Sequence, residues 1–189
     1  MRRHCSRLQG VAIASLALLL VIALPASHAG AAKLGIYFDA SGTREGLDVA
    51  PFSVFTFYAV ASGVGSGVVG YEFELEYSDD ITILSKTVYP AGAFSLLSSN
   101  TSFLVATGGA CHGGAGGVVL VSFTAMLLRD GSNLQLRASG LKGGSIDDDT
   151  PAYVPCDDDE TVYGFDETPS SFVNPKTDSF GRVKERYDS

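Results

Sequence analysis

Nine of the chain's 21 Asp and Glu residues fall between Gly144 and Glu167, a stretch with no Lys or Arg. Carboxylates at this density suggest three kinds of chemistry: a hard-cation site, acid–base catalysis, or a solvated acidic edge. Calcium takes six to eight oxygen ligands from carboxylates and carbonyls at flexible spacing. Asp147, Asp149, Asp157 and Asp159 could supply carboxylates from two loops flanking one short strand, at alternating positions compatible with wrapping an ion. The run Asp147-Asp-Asp-Thr-Pro151 lacks the central Gly and terminal Glu of a helix–loop–helix calcium site, and no glycine-rich nonapeptide repeat is present. A solvated acidic loop is therefore preferred to calcium as the reading of this segment.

A second set, Glu72, Glu74 and Glu76, alternates with Tyr71, Phe73, Leu75 and Tyr77. Same-face neighbours on a strand lie about 6.8 Å apart at Cα, which overlaps the separation of paired glycosidase carboxylates. Glycosidase carboxylates, however, face each other across a cleft, whereas three in a row on one strand mark a solvent face. His112 is the only histidine beyond the N-terminal leader, so a Ser-His-Asp triad would have to use it. It sits in the glycine-rich run Gly108–Gly117 and is expected to be exposed. That run has neither the Lys-Ser/Thr pair nor the following helix of a phosphate loop, and no nucleophile elbow occurs. Catalysis is the least favoured reading. Aromatic platforms for sugars are the remaining idea: Tyr153, Tyr163 and Phe165, close to the acidic loops, are the candidate exposed rings, and Trp is absent.

The chain ends bound the environment. Arg2, Arg3 and Arg7 precede an apolar run from Val11 to Leu24, and Pro25 to Gly30 closes it with small residues. That order is a secretory leader, with a helical apolar segment and cleavage after Ala29 or Ala31. The apolar run is short for a membrane span, which needs about 20 residues. Without the leader, ten basic residues stand against 21 acidic ones, a net charge of −11. Such a charge disfavours nucleic acid and anionic lipid as partners. Cys111 and Cys156 remain, and in an oxidising compartment an even pair reads as a disulfide, two free buried thiols being the alternative.

The elements that must position these residues are short and β-like. Strands are expected at Lys33–Phe38, Phe52–Ala61, Val68–Tyr77, Ile81–Val88, Thr101–Thr107, Gly117–Leu128 and Asn133–Ala138, with shorter ones at Ala152–Pro155 and Thr161–Phe165. Turn signals separate them at Ser78–Asp80 and Arg129–Ser132. Seven to nine short strands with almost no helical periodicity predict an all-β antiparallel β-sandwich, with a small closed barrel as runner-up. The organisation expected is a signal peptide over 1–29, the sandwich over 30–166, and an extended C-terminal tail over 167–189. In that tail Phe180, Val183 and Tyr187 could pack a short helix on the sandwich.

Four stretches carry a resemblance: Phe52–Ala61, Val69–Tyr77 with its Gly-aromatic-x-Phe-x-Leu-x-Tyr pattern, Ile81–Leu84, and Val118–Ala125. Together they resemble the strands of cohesin-like domains over residues 33–140. The resemblance implies a nine-stranded jelly-roll related to cellulose-binding modules, on a secreted or surface bacterial protein. It also implies a noncatalytic docking role. The cysteine pair and the acidic segment lie outside the pattern, and no binding residue is carried over. The reading is thus a secreted or surface module, not an enzyme, that docks to an extracellular protein. A carbohydrate-binding module for a polysaccharide, assisted by calcium, is the alternative.

Overall fold

A computed structural model describes residues 31–97, 99–114, 116–129, 134–158 and 160–175. The leader, the end of the tail with Phe180, Val183 and Tyr187, and Asp159 lie outside the described residues. Twelve strands form two sheets, and no helix occurs among the described residues. One sheet has four strands in the order β1 (Lys33–Tyr37), β3 (Val54–Ser62), β8 (Val118–Leu127) and β5 (Ile81–Val88). The other runs from β11 (Tyr163–Gly164) through β10 (Ala152–Pro155), β4 (Val68–Tyr77), β9 (Leu134–Ser139) and β12 (Ser171–Pro175) to β2 (Gly46–Val49). The hairpin β6 (Phe94–Ser95) and β7 (Ser102–Ala106) completes it on the opposite edge of β4. Two open sheets make this a sandwich and not a barrel. All named pairings are antiparallel except β2 with β12.

Period-two alternation sets which residues face inward. On β4 it buries Tyr71, Phe73 and Leu75; on β3 it buries Phe55, Phe57 and Ala59; on β8 it buries Val121, Phe123, Ala125 and Leu127, with Leu120 also buried at a register shift. Four phenylalanines meet at the centre. Phe57 stacks on Phe123 within the four-stranded sheet, and Phe73 on Phe103 in the larger one, each with ring centroids 4.7 Å apart. Phe103 then meets Phe123 edge-on at 5.5 Å, which joins the two sheets. All four are fully buried. Burying a side chain of this size contributes about 1.5–3 kcal/mol, and each aromatic pair about 0.5–1.5 kcal/mol beyond that. The Tyr71 hydroxyl crosses the same interior to donate to the Leu120 carbonyl at 2.7 Å and the Tyr89 carbonyl at 3.0 Å. Burial pushes that phenol well above its ordinary titration range.

Three elements differ from the sequence reading. Residues 46–49 and 94–95 are strands that had no pattern long enough to register. The segment after Glu167 is not a tail at its start. Ser171–Pro175 is inserted between β9 and β2, with Val173 fully buried, so the sandwich continues to residue 175. Its polar residues and Pro175 suit an extended loop, but Val173 reaches the core and the buried Ser171 hydroxyl donates to the Ile36 carbonyl, which fixes it in the sheet.

Candidate binding face

The outer face of the larger sheet is where the acidic segment, the glutamate strand and an apolar groove converge. Glu74 is half-buried and Glu76 exposed, as a wet strand face requires. Glu72 is different: it retains only 5 % exposure. The loop after β9 folds back over the sheet and covers it. The Ser145 amide donates to Glu72 Oε1 at 2.5 Å and the Ser145 hydroxyl to Oε2 at 2.8 Å. Gly144 passes so close that a Cβ there would sit 2.9 Å from Oε1, and a Cβ on Gly140 would lie 2.4 Å from the Thr150 amide nitrogen. Both glycines let the two limbs of the loop cross against the sheet. The expectation of a uniformly solvated glutamate face is corrected at Glu72, because its carboxylate holds a loop down.

The loop itself is held by its own carboxylates. Asp147 Oδ1 accepts from the amides of Asp149 at 2.9 Å and Thr150 at 2.7 Å, and Oδ2 accepts from the Thr150 hydroxyl at 3.0 Å. Asp148 accepts from the Gly143 amide at 2.8 Å. Past β10, Asp158 accepts from the Tyr163 hydroxyl at 2.8 Å. The Asp149 amide, followed by the Thr150 hydroxyl, holds the Asp147 carboxyl below the usual range; the Tyr163 hydroxyl does the same for Asp158. Asp149 and Asp157 are exposed. Among the described residues no group of three or more His, Cys, Asp or Glu side chains is arranged to hold a metal ion. Asp159, the fourth calcium candidate, lies outside the described residues.

The proposed aromatic platform is only partly a surface. Phe165 is buried at 5 % exposure and belongs to the core, a correction to its expected exposure. Tyr153 is half-buried and packs against Phe165 with centroids 4.7 Å apart; Tyr163 is exposed and lies 6.0 Å from Tyr153. Tyr153 pairs with Tyr71 and Tyr163 pairs with Tyr153, so these rings share the inward side of the sheet and reach solvent only at its rim. The row therefore closes the end of the core and offers one exposed ring.

Cys111 and Cys156 form a disulfide, with Cα atoms 5.6 Å apart. It clamps the start of β4. Val68 pairs with His112 on one side and with Pro155 on the other, and the bond joins the residues next to those two. His112 is half-buried, not exposed as expected: its Nε2 lies 2.7 Å from the Val119 carbonyl and its ring stacks over Tyr89.

Between the β6–β7 hairpin and the folded-back loop runs an open groove of about 300 Å³. Leu104 and Ala106 of β7, Gly70 and Glu72 of β4, Ala152 and Val154 of β10, Leu96 and Val162 line it, with Ser145 at the loop side. Leu96 is 67 % exposed. The sequence carries a signal for this groove in the parity of β7. Ser102, Leu104 and Ala106 are the outward positions of β7, and apolar residues there have no core to face.

No family model matches the chain, and no curated protein matches it. Solved structures do. A cohesin module from a Clostridium perfringens family 33 glycoside hydrolase superposes with a TM-score of 0.53 at 15% identity, over 77% of this chain and 98% of that one. The sixth cohesin of scaffoldin B from Acetivibrio cellulolyticus, solved in complex with a mutant Cel5 dockerin, gives 0.54 at 14% identity, over 77% and 99%. A non-cellulosomal cohesin from the archaeon Archaeoglobus fulgidus gives 0.51 at 7% identity, over 84% and 99%. With the two-sheet topology above, these matches establish that the chain has the β-sandwich fold of cohesin modules.

Proposed function

We propose that this chain is a noncatalytic module that docks to another protein outside the cell through the groove on the outer face of its larger sheet. The observation that carries the reading is the apolar lining of that groove by Leu96, Leu104, Val154 and Val162, on a strand face where charged residues would otherwise be expected. Contiguous apolar surface rimmed by polar groups is the usual mark of an interaction site. Further carboxylates follow the lining residues along the chain: Glu74 is the next outward position after Glu72 on β4, and Asp147 to Asp149 follow Ser145 on the loop. The matching partner surface is an apolar side chain or two flanked by basic residues. A fold shared with cohesins, one of them in complex with a dockerin, supports docking as the role. The leader at residues 1–29 supports an extracellular location. Glu72, the buried carboxylate of the face, is engaged by Ser145 at both oxygens and serves to hold the loop.

The test uses the mature, oxidised protein carrying a photo-crosslinker at Leu104, with the same group at Asp79, in the exposed turn between β4 and β5, as control. Proteins captured from culture fluid only at Leu104 are purified and titrated calorimetrically, alongside isolated dockerin modules. The expected result is a partner whose affinity falls at least tenfold in Leu96→Asp and Leu104→Asp. Equal capture at both positions, or a partner indifferent to both substitutions, removes the groove as the docking site.

A further inference from the structure

The opposite face of the sandwich has a different chemistry. Strands β3, β5 and β8 contain a single charged residue, Lys86, in a chain with 34 Lys, Arg, Asp and Glu residues. Lys86 turns inward, its ammonium 4.8 Å above the Phe103 ring. The central outward positions carry hydroxyls instead, and the exposed side chains of Val54 and Leu84 flank them. Thr56, Thr124 and Ser85 align across the three strands in one rung, and Tyr58, Ser122 and Thr87 align in the next. Strand geometry spaces such rungs about 6.8 Å apart and neighbouring strands about 4.8 Å apart. These two rungs make a small lattice of neutral donors and acceptors. At one end stands Phe52, whose ring is 73 % exposed and whose backbone is held at φ 59°, in the left-handed region that a bulky residue avoids. The hydrogen bond from its amide to the Leu127 carbonyl at 2.7 Å fixes that turn against β8. Among the described residues, the ion pairs Lys33 with Glu167 and Arg129 with Asp80 lie toward its ends, and Asp39 and Glu45 lie close to Tyr37 at the β1 edge.

We propose that the outer face of the four-stranded sheet is a docking surface for an uncharged polysaccharide. The argument is one of matching chemistry. A neutral polyol has no ionic group to be repelled by an acidic protein, and it presents hydroxyls along a repeating chain. A strongly charged partner would find no counter-charge between the two end pairs. Hydroxyl rungs exchange hydrogen bonds with such a chain, and an exposed ring stacks against the C–H face of a sugar. The strained Phe52 fits this role, since backbone strain at an exposed aromatic is retained where the ring's position matters. This surface is independent of the docking groove, and either reading can fail without the other.

The experiment is co-sedimentation of the mature, oxidised protein with cellulose and chitin, together with affinity electrophoresis in gels containing soluble uncharged glucan or xylan. The expected result is retention by at least one of these polymers that survives raised salt. Retention falls at least tenfold in Thr56→Glu/Ser85→Glu, falls several-fold in Phe52→Ala, and is unchanged in Leu104→Asp. Thermal melts of each variant confirm that the fold is kept. Absence of retention on all four polymers overturns the proposal. So does retention that persists in Thr56→Glu/Ser85→Glu, or that is lost in Leu104→Asp instead.

Discussion

Glu72 and Ser145, 73 residues apart in the chain, are joined by two hydrogen bonds that fasten the loop after β9 to the outside of the larger sheet. The acceptor is a carboxylate at 5 % exposure whose described partners are both on Ser145. A buried acceptor that loses its donors, or donors that lose their acceptor, cost more than the bond itself contributes. Glu72→Ala removes the acceptor for two donors and opens a void under Gly144. The expected loss is about 2–4 kcal/mol in denaturant melts, on the scale of about 1.5–3 kcal/mol per bond to a charged group. Glu72→Gln keeps one carbonyl acceptor and should lose about half as much. Hydrogen exchange at the Ser145 amide should rise in both variants, while the amides of β8 stay protected. If melts and exchange match the parent in Glu72→Ala, the latch has no energetic role.

Tyr71 joins the sheets from inside, as Glu72 holds the loop from outside. Its hydroxyl donates to carbonyls on β8 and on the segment after β5. Tyr71→Phe keeps the ring and its packing against Phe73 while leaving the Leu120 and Tyr89 carbonyls short of a donor. The expected cost is about 1–3 kcal/mol. The phenol also gives a signed pH effect. Its folded titration point is raised above the ordinary 10.0 by burial. The unfolded chain therefore loses this proton first, and the stabilisation is complete below about pH 10 and falls as pH rises further. Tyr71→Phe should flatten the alkaline limb of the stability curve; an unchanged limb would mean that this phenol is not what drives it.

The disulfide closes a 45-residue separation. Chain-entropy reasoning for a loop of that length gives about 4 kcal/mol, within the range of about 2–5 kcal/mol observed when native bonds are removed from small secreted domains. Cys111→Ser/Cys156→Ser should lower stability by that order. The fraying should begin where the bond acts, at the mutual amide bonds of Val68 and His112, each 2.9 Å long. Exchange at those two amides before the rest of β4 is the expected pattern. A double variant as stable as the oxidised parent would show that the pairing of Val68 from both sides holds without the covalent clamp.

Much of this was legible in the sequence because the strands are amphipathic or wholly apolar over eight to ten residues. Val68–Tyr77 and Val118–Leu127 reproduce the bounds expected within a residue. What stayed illegible depends on contacts between distant segments. Nothing in the pattern Glu-Phe-Glu-Leu-Glu tells Glu72 from Glu74; the difference is a loop that returns 73 residues later. Phe165 and Tyr163 have the same inward parity, and only their places relative to the sheet's rim make one core and the other exposed. Ser171–Pro175 joins the sheet through a parallel pairing with residues 46–49, a partnership with no local signature. The groove has a local signal, since Leu104 and Ala106 are apolar at the outward parity of β7, but only the pairing of Leu104 with Glu72 shows which parity is outward.

The acidic segment that first suggested a metal site yields the last prediction. Three carboxyls are held low by neutral donors: Asp39 at about 2 by the Thr43 hydroxyl and amide, Asp147 by the Asp149 amide and Thr150 hydroxyl, and Asp158 by the Tyr163 hydroxyl. A folded value below the unfolded one means that the unfolded chain binds protons first as pH falls. The stabilisation is thus whole above about pH 4 and is lost between about pH 4 and pH 2. Asp147→Asn should shrink that acid transition without moving the alkaline one. The same bonds bear on calcium. Asp147 Oδ1 already accepts two bonds and Oδ2 one, all from the loop itself, so most of its acceptor capacity is taken before an ion arrives. Melts at neutral pH in millimolar calcium and in excess chelator are expected to coincide. A ligand that binds the folded state alone must raise stability, by about 2.7 kcal/mol at a hundredfold excess over its Kd. A calcium-dependent rise that chelator reverses, and that Asp147→Asn and Asp157→Asn each remove, would place an ion between the two acidic loops and overturn the self-capped reading.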